Sequence, residues 1–330
     1  MRAVNVAGCD LDEVLERGEF RCAAFDLTER LGARVIGATV YEMQPGDKRG
    51  PYHYHHGVEE WLYVVSGAPI LRGPNGERAL EPGELVAFPS GPLGAHTDRG
   101  PGRIVMFSAG ARGWGEGFVT VYPDSDKIGA APGVRFRRAD AIDAWSREVG
   151  KTPRPVVAAR PSAFEPSSPP VNLTTIPAAS SPDDEPRDGS RVRRAQLGAL
   201  LGTQTWTPTL YELAPGEATG AYRYEWCREE WALVLSGAST LRHPDGEDVL
   251  ASGDIVCFPE GPTGARRFLN ESEEAVRLVA FSTPAGQPMS AFFPDDGTVL
   301  VRVSDHEGFL FRQDDQIEDY WDGEPGAGAA

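Results

Sequence analysis

Adding 170 to each residue number from 41 to 95 lays one half of this 330-residue chain on the other without a gap. "VYEMQPG" then meets "LYELAPG", "EEWLYVVSGAPILRGPNGE" meets "EEWALVLSGASTLRHPDGE", and "GELVAFPSGPLGA" meets "GDIVCFPEGPTGA". Farther on the frame slips by a few positions, yet "RIVMFS" still answers "RLVAFS" and "FRRADAIDAW" answers "FRQDDQIEDYW". A repeat of roughly 150 residues is a whole domain rather than a solenoid unit. The chain therefore has to solve one folding problem twice. Between the copies lies "TPRPVVAARPSAFEPSSPPVNLTTIPAASSPDDEPRDGS", rich in Pro, Ser and charge, which can bury little apolar surface and reads as linker. The expected division is an N-terminal domain over residues 1–150, a linker over 151–190 and a C-terminal domain over 191–330.

Inside each copy the apolar segments are short, rich in Val, Leu, Phe and Trp, and punctuated by Gly and Pro. That is the pattern of an antiparallel sandwich or barrel, so the expected class is all-β. Helix is expected only in "DLDEVLER" and at the domain ends, "RADAIDAWSRE" and "DDQIEDYW". In "PNGE" and "PDGE" the dipeptides Asn-Gly and Asp-Gly tolerate positive φ and are expected to close two-residue hairpins.

Charge narrows the partners. With 49 acidic against 32 basic residues the net charge is −17, which repels nucleic-acid phosphates and anionic lipid at long range. Neither nucleic acid nor membrane is an expected partner. The N-terminus lacks a basic start followed by an apolar run, and no uninterrupted apolar stretch long enough to span a bilayer occurs, so a cytoplasmic protein is expected. Cys9, Cys22, Cys227 and Cys257 show no CxxC spacing, which points to reduced thiols rather than disulfides or a thiolate zinc site.

The chemistry concentrates in "YHYHHGVEEW", residues 52–61. His53 and His55 are two apart in a strand and point to one face, while Tyr52, Tyr54 and His56 alternate away from it or enter the following turn. Gly57 permits a bend, after which Glu60 can turn back toward the same interior. His96 follows the turn "PSGPLGA" at the end of the next hairpin. A single histidine is more often a satisfied polar residue than a ligand. Three histidines and a carboxylate converging in one barrel form a borderline N and O donor set suited to Fe, Mn, Ni, Cu or Zn.

Each half resembles a cupin domain, and the whole chain resembles a two-domain bicupin. The first cupin motif, His-x-His, a four-residue gap, Glu, six residues, Gly, is met by His53, His55, Glu60 and Gly67. The second, Gly, five residues, Pro, x, Gly, then His, is met by Gly83, Pro89, Gly91 and His96, with His96 two positions later than in the shortest form. The resemblance implies two jelly-roll barrels (double-stranded β-helices) with few short helices. It also implies one divalent metal ion in the N-terminal domain, iron before Mn, Ni, Cu or Zn, ligated by His53, His55, Glu60 and His96. Glu60 is preferred over its neighbour Glu59 because it fits the spacing to Gly67, and it is the candidate catalytic carboxylate.

Cupins include dioxygenases, decarboxylases, sugar isomerases and epimerases, lyases, storage proteins and ligand-binding regulators, so the fold does not choose the reaction. The expected function is a metal-dependent enzyme, a dioxygenase or other oxidoreductase acting on a small oxygenated organic molecule. An isomerase, cyclase or lyase using the ion as a Lewis acid is the near alternative, and a non-catalytic small-ligand-binding cupin the distant one. The duplicated halves are expected to pack as an intramolecular pseudo-dimer about a pseudo-twofold axis. Higher homo-oligomers stay open.

The second copy reads "YRYEWCREEW". The offset puts Arg223 at His53, Glu225 at His55, Glu230 at Glu60 and Arg266 at His96. A guanidinium has no lone pair for a cation, so the C-terminal domain is expected to hold no metal and to carry an internal ion-pair network instead, with support rather than ligand binding as its role. Cys227, in the place of Gly57, is the rival soft ligand there.

Overall fold

A computed structural model describes residues 1–110, 118–130, 133–141, 168–179, 192–203, 205–283, 288–304 and 307–317. Among these residues the regular structure is almost wholly strand, and the α-helices are single short turns at Leu27–Leu31 and Gly198–Leu201. The expectation of an all-β chain built of two barrels holds.

The N-terminal barrel is framed by a seven-stranded antiparallel sheet. Its order is Val171–Asn172, Glu84–Phe88, Val58–Gly67, Gly102–Gly110, Ile36–Met43, Phe20–Asp26 and Glu13–Arg17. Two smaller sheets close it. One joins Thr97–Arg99, Ile70–Gly73 and Gly76–Ala79; the other joins Tyr54–His56, Val119–Tyr122, Lys127–Ala130 and Val134–Arg137. The C-terminal barrel repeats the plan around the central strands Glu230–Ser236 and Val276–Ser282. Each barrel has its own apolar interior, with Leu62, Val64, Leu80 and Ile104 in the first and Leu213, Val234, Leu241 and Leu278 in the second.

A third core lies between the barrels. Trp61, Phe107, Trp206, Trp231 and Phe281 are fully buried there, and the Trp61 and Trp206 rings stand 4.5 Å apart. Each such side chain contributes about 1.5–3 kcal/mol of hydrophobic stabilisation relative to exposure. The halves also exchange edges. Ala3–Asn5, which precedes the first barrel, pairs with the second through Val4 and Ile255; Val171–Asn172, which precedes the second, pairs with the first through Val171 and Leu85. Ile255 stands 170 positions after Leu85, so the exchange follows the sequence repeat. Part of the segment expected as linker is thus an edge strand, and each exchange covers a strand edge open to unwanted pairing.

Three local expectations need correction or fall outside the description. "DLDEVLER" is not helical: Glu13–Arg17 is an edge strand hairpinned to Phe20–Asp26, with Gly18 at φ +64 in the connection. Val14 and Leu15 are 71% and 48% exposed, so no packed face rewards a helix and sheet pairing prevails. The helix that does form starts where Asp26 accepts from the Thr28 amide at 2.7 Å and stops at Gly32, φ +72. In the hairpins the central pairs are Pro74-Asn75 and Pro244-Asp245, one position earlier than expected, because Gly73 pairs with Gly76 and His243 with Gly246. Proline suits the first central position, and Gly76 takes the positive φ, +112, just after the central pair. The domain ends show only 3-10 turns at Arg138–Asp140 and Gln313–Asp315; the rest of "RADAIDAWSRE" and "DDQIEDYW" lies outside the described residues.

Cys22 and Cys257 are buried, Cys9 is half-buried and Cys227 exposed, all as free thiols. Among the described residues no helix is long and apolar enough to cross a membrane.

Candidate metal centre

Three of the four expected donors, His53, Glu60 and His96, meet in the first barrel, and His55 adjoins Glu60, each brought there by its own element. His53 and His96 face each other as an isolated antiparallel bridge, with the His53 amide donating to the His96 carbonyl at 3.0 Å and the His96 amide returning to His53 at 2.8 Å. His55 lies in Tyr54–His56, opposite Thr120. Glu60 comes from the central strand Val58–Gly67. The turn Pro92–Gly94 delivers His96, and its tightness demands Gly94: a Cβ there would stand 2.0 Å from the Pro89 carbonyl oxygen. The two extra residues of this turn leave His96 in place.

Oε2 of Glu60 is the focus. Nε2 of His55 lies 3.2 Å from it, Nε2 of His96 3.6 Å and Nε2 of His53 4.0 Å. One donor atom each from His53, Glu60 and His96 lies within 4.8 Å of the others. The far ring nitrogens fix the rings: Nδ1 of His53 donates to the Pro51 carbonyl at 2.8 Å and Nδ1 of His96 to Gly94 at 2.9 Å, leaving both Nε2 lone pairs inward. Nδ1 of His55 is 3.0 Å from the Thr120 hydroxyl. His56 is exposed, as its alternation requires.

Electrostatics suit a cation. Burial alone would raise the Glu60 carboxyl, yet the close His55 ring, then His96 and His53, hold it well below the usual carboxylate range. Burial pushes His96 well below its ordinary value, with His53 and the Arg49 cation adding to the shift. His53 is lowered by burial too, assisted by Arg49 and His55. Oε2 of Glu60 and Nε2 of His96 are buried with no hydrogen-bond partner. Orphaned polar atoms at such depth are costly unless something charged sits between them, and a divalent cation is the group that fits an ionised carboxylate beside inward lone pairs.

Glu59, the rival carboxylate, turns the other way. It is 2% exposed and accepts from Nε1 of Trp61 at 2.8 Å and from the amide and hydroxyl of Thr205, in the other barrel, at 3.1 and 2.9 Å. Sequence reasoning did not single out the residues around the donors. Phe88 stacks on His96, Tyr122 on His53, and Phe118 meets His55 edge-on. Arg49 is bound to the buried Asp98 at 2.8 Å. A signal for that pair existed: the 170 offset places Thr219 and Phe268 in the second copy, so the pair belongs to the first barrel alone.

The second barrel holds the expected ion pairs at the corresponding place. Arg223 and Arg266 form the same isolated bridge. Nε of Arg266 donates to Glu230 at 2.7 Å and Nη2 to Glu225 at 3.2 Å, while Nε of Arg223 donates to Glu225 at 3.1 Å. Ser282 completes Glu230 at 2.6 Å. Cys227 sits exposed in the bend at φ +63, where Gly57 has φ +84.

A family model described as a cupin domain matches residues 39–108. The oxalate decarboxylase of Bacillus subtilis aligns over 86% of this chain and 76% of its own, at 15% identity and TM-score 0.50. A cupin-superfamily sugar phosphate isomerase from Silicibacter pomeroyi aligns over 44% of this chain and 94% of its own, at 22% identity and TM-score 0.40. No curated protein matches the sequence. The decarboxylase alignment runs through both barrels, so the two chains share a two-barrel fold.

Proposed function

Starting from a chain with the two-domain cupin fold, we propose that it is a mononuclear metal enzyme, a dioxygenase or related oxidoreductase acting on a small oxygenated organic molecule. The observation that carries this reading is the pair of buried, unpartnered donors, Oε2 of Glu60 and Nε2 of His96, facing each other beside His53 and His55. We assign these four residues as the ligands of one divalent ion, iron before Mn, Ni, Cu or Zn, and none to the second barrel. Such an ion supplies a net positive centre with exchangeable positions that polarises an enolate or carbonyl oxygen or, if redox active, activates dioxygen.

The chain's own residues do the rest. The Pro51 and Gly94 carbonyls hold the His53 and His96 tautomers, so neither ring has to lose a proton when it ligates. Glu60, kept ionised, is a poor proton acceptor and serves catalysis through ligation rather than as a base. Phe88, Phe118 and Tyr122 pack against the donor rings and limit water. Arg49 adds a cation that favours an anionic oxygen on the substrate, held in place by Asp98.

The test is elemental analysis of protein purified without added metal, followed by oxygen-uptake assays with enols, flavonoids, catechols and oxalate. Bound iron with substrate-dependent uptake supports the proposal. Zinc, or no metal, without uptake refutes the dioxygenase; turnover of a substrate without uptake selects the Lewis-acid alternative.

A further inference from the structure

Glu59 and Glu60 are neighbours in one strand, so their side chains leave it on opposite faces. Glu60 points into the first barrel and Glu59 points out of it, into the contact with the second. There its Oε2 takes two hydrogen bonds from Thr205 and its Oε1 one from Trp61. The repeat reproduces the contact in reverse. Glu229 of the second barrel, 3% exposed, accepts from the amides of Arg34, Val35 and Ile36 at 2.6, 3.2 and 2.8 Å, and from Trp231 at 3.3 Å. Each barrel thus grips the other through a buried carboxylate adjacent to its own central carboxylate. The two grips differ chemically: Thr205 contributes a side-chain hydroxyl, whereas Arg34, Val35 and Ile36 contribute amides alone.

Resting on the metal-site reading above, we infer that Glu59 is a positioning residue through which the second barrel sets the placement of the Glu60 ligand. Metal–oxygen distances tolerate deviations of only about 0.2 Å. A carboxylate bound at both oxygens one residue away fixes the strand's rotation and advance where that tolerance matters. The barrel that lost its donors thereby keeps a part in the chemistry of the other: Thr205, 146 positions along the chain from Glu59, is an outer partner of the centre. Groups hydrogen-bonded directly to a ligand typically change metal affinity by about 10–100-fold when removed, and Thr205, one step farther out, is placed at the low end of that range.

The experiment uses the full chain and cobalt(II) as probe, reading its dissociation constant, its visible absorption bands and the unfolding temperature. Thr205→Val removes the hydroxyl and is expected to weaken cobalt binding about tenfold and move the bands. Thr205→Ser restores both. Glu229→Gln loosens the mirror-image grip and is expected to lower the unfolding temperature while leaving affinity and bands unchanged. Unaltered cobalt binding in Thr205→Val, or an equal change in Glu229→Gln, overturns the inference while the metal site stands. Wild-type protein that takes up no cobalt overturns the metal-site reading and this inference with it.

Discussion

The ring of His96 lies flat on that of Phe88, centroids 3.8 Å apart and planes within 12°, and at the corresponding place in the second barrel the guanidinium of Arg266 lies over Phe258 at 5.3 Å. One aromatic shelf carries a metal-type donor in one half and a cation in the other. That exchange on a retained shelf, together with Arg223 for His53 and Glu225 for His55, separates a site that invites a cation from one that already contains two.

The ligand assignment predicts the behaviour of single variants. His53→Ala and His55→Ala should strip the metal, and Glu60→Ala should weaken it by more than the ~10–100-fold associated with outer partners. His56→Ala should keep it, since His56 is exposed on the far side of the strand. Isothermal titration of each metal-free variant checks this. Lost binding in His56→Ala alone would show the register to be wrong.

Arg266→Ala should be strongly destabilising. Arg266 is 3% exposed and bonds both Glu225 and Glu230, so its removal leaves the buried Glu230 with only the Ser282 hydroxyl and Glu225 with Arg223 as its remaining bonded cation. The expected loss is about 3–5 kcal/mol in urea unfolding. Unchanged stability with lost activity would instead make the second barrel a substrate site.

Acid should act through the same network. Glu225 and Glu230 are held below the ordinary carboxylate range: burial opposes this, but the charges of Arg266 and then Arg223 overcome it. With folded values below the unfolded one of about 4.3, their contribution is fully present above that pH and is lost as pH falls below it. Unfolding free energies measured from about pH 6 down to about pH 3 should decline, and Glu225→Gln should flatten the decline. An identical slope in that variant would remove Glu225 from the account.

Cleavage between the barrels should leave them together. Protease is expected to cut within residues 151–190 but outside 168–179, where Val171 pairs with Leu85 and Leu173 is fully buried. The nicked chain should elute from a sizing column at the intact position, held by the Trp61 and Trp206 contact and the exchanged edges. Halves that separate at once would contradict the packed pseudo-dimer.

What the sequence disclosed follows the range of the interactions involved. His53, His55, Glu60 and His96 were legible because alternation in a strand and short motif spacings are local, and the three-residue swap in the second copy, with Glu230 retained, was legible from a constant offset. The grip of Glu59 on Thr205 was not, because nothing local distinguishes a carboxylate that turns toward another barrel from one that turns inward. The segment "DLDEVLER" has no face to bury, so hairpin pairing with Phe20–Asp26 decided it. The Arg49–Asp98 pair showed only as a difference between the copies, without a sign of what the two residues do together.

We propose that one half of a duplicated fold carries the metal and the other has given it up. Metal content per chain, measured after saturation with iron(II) under anaerobic conditions and removal of free ion, tests it most directly. About one ion per chain is expected in the wild type and none in His96→Ala. Two ions per chain, or one retained in His96→Ala, would contradict it.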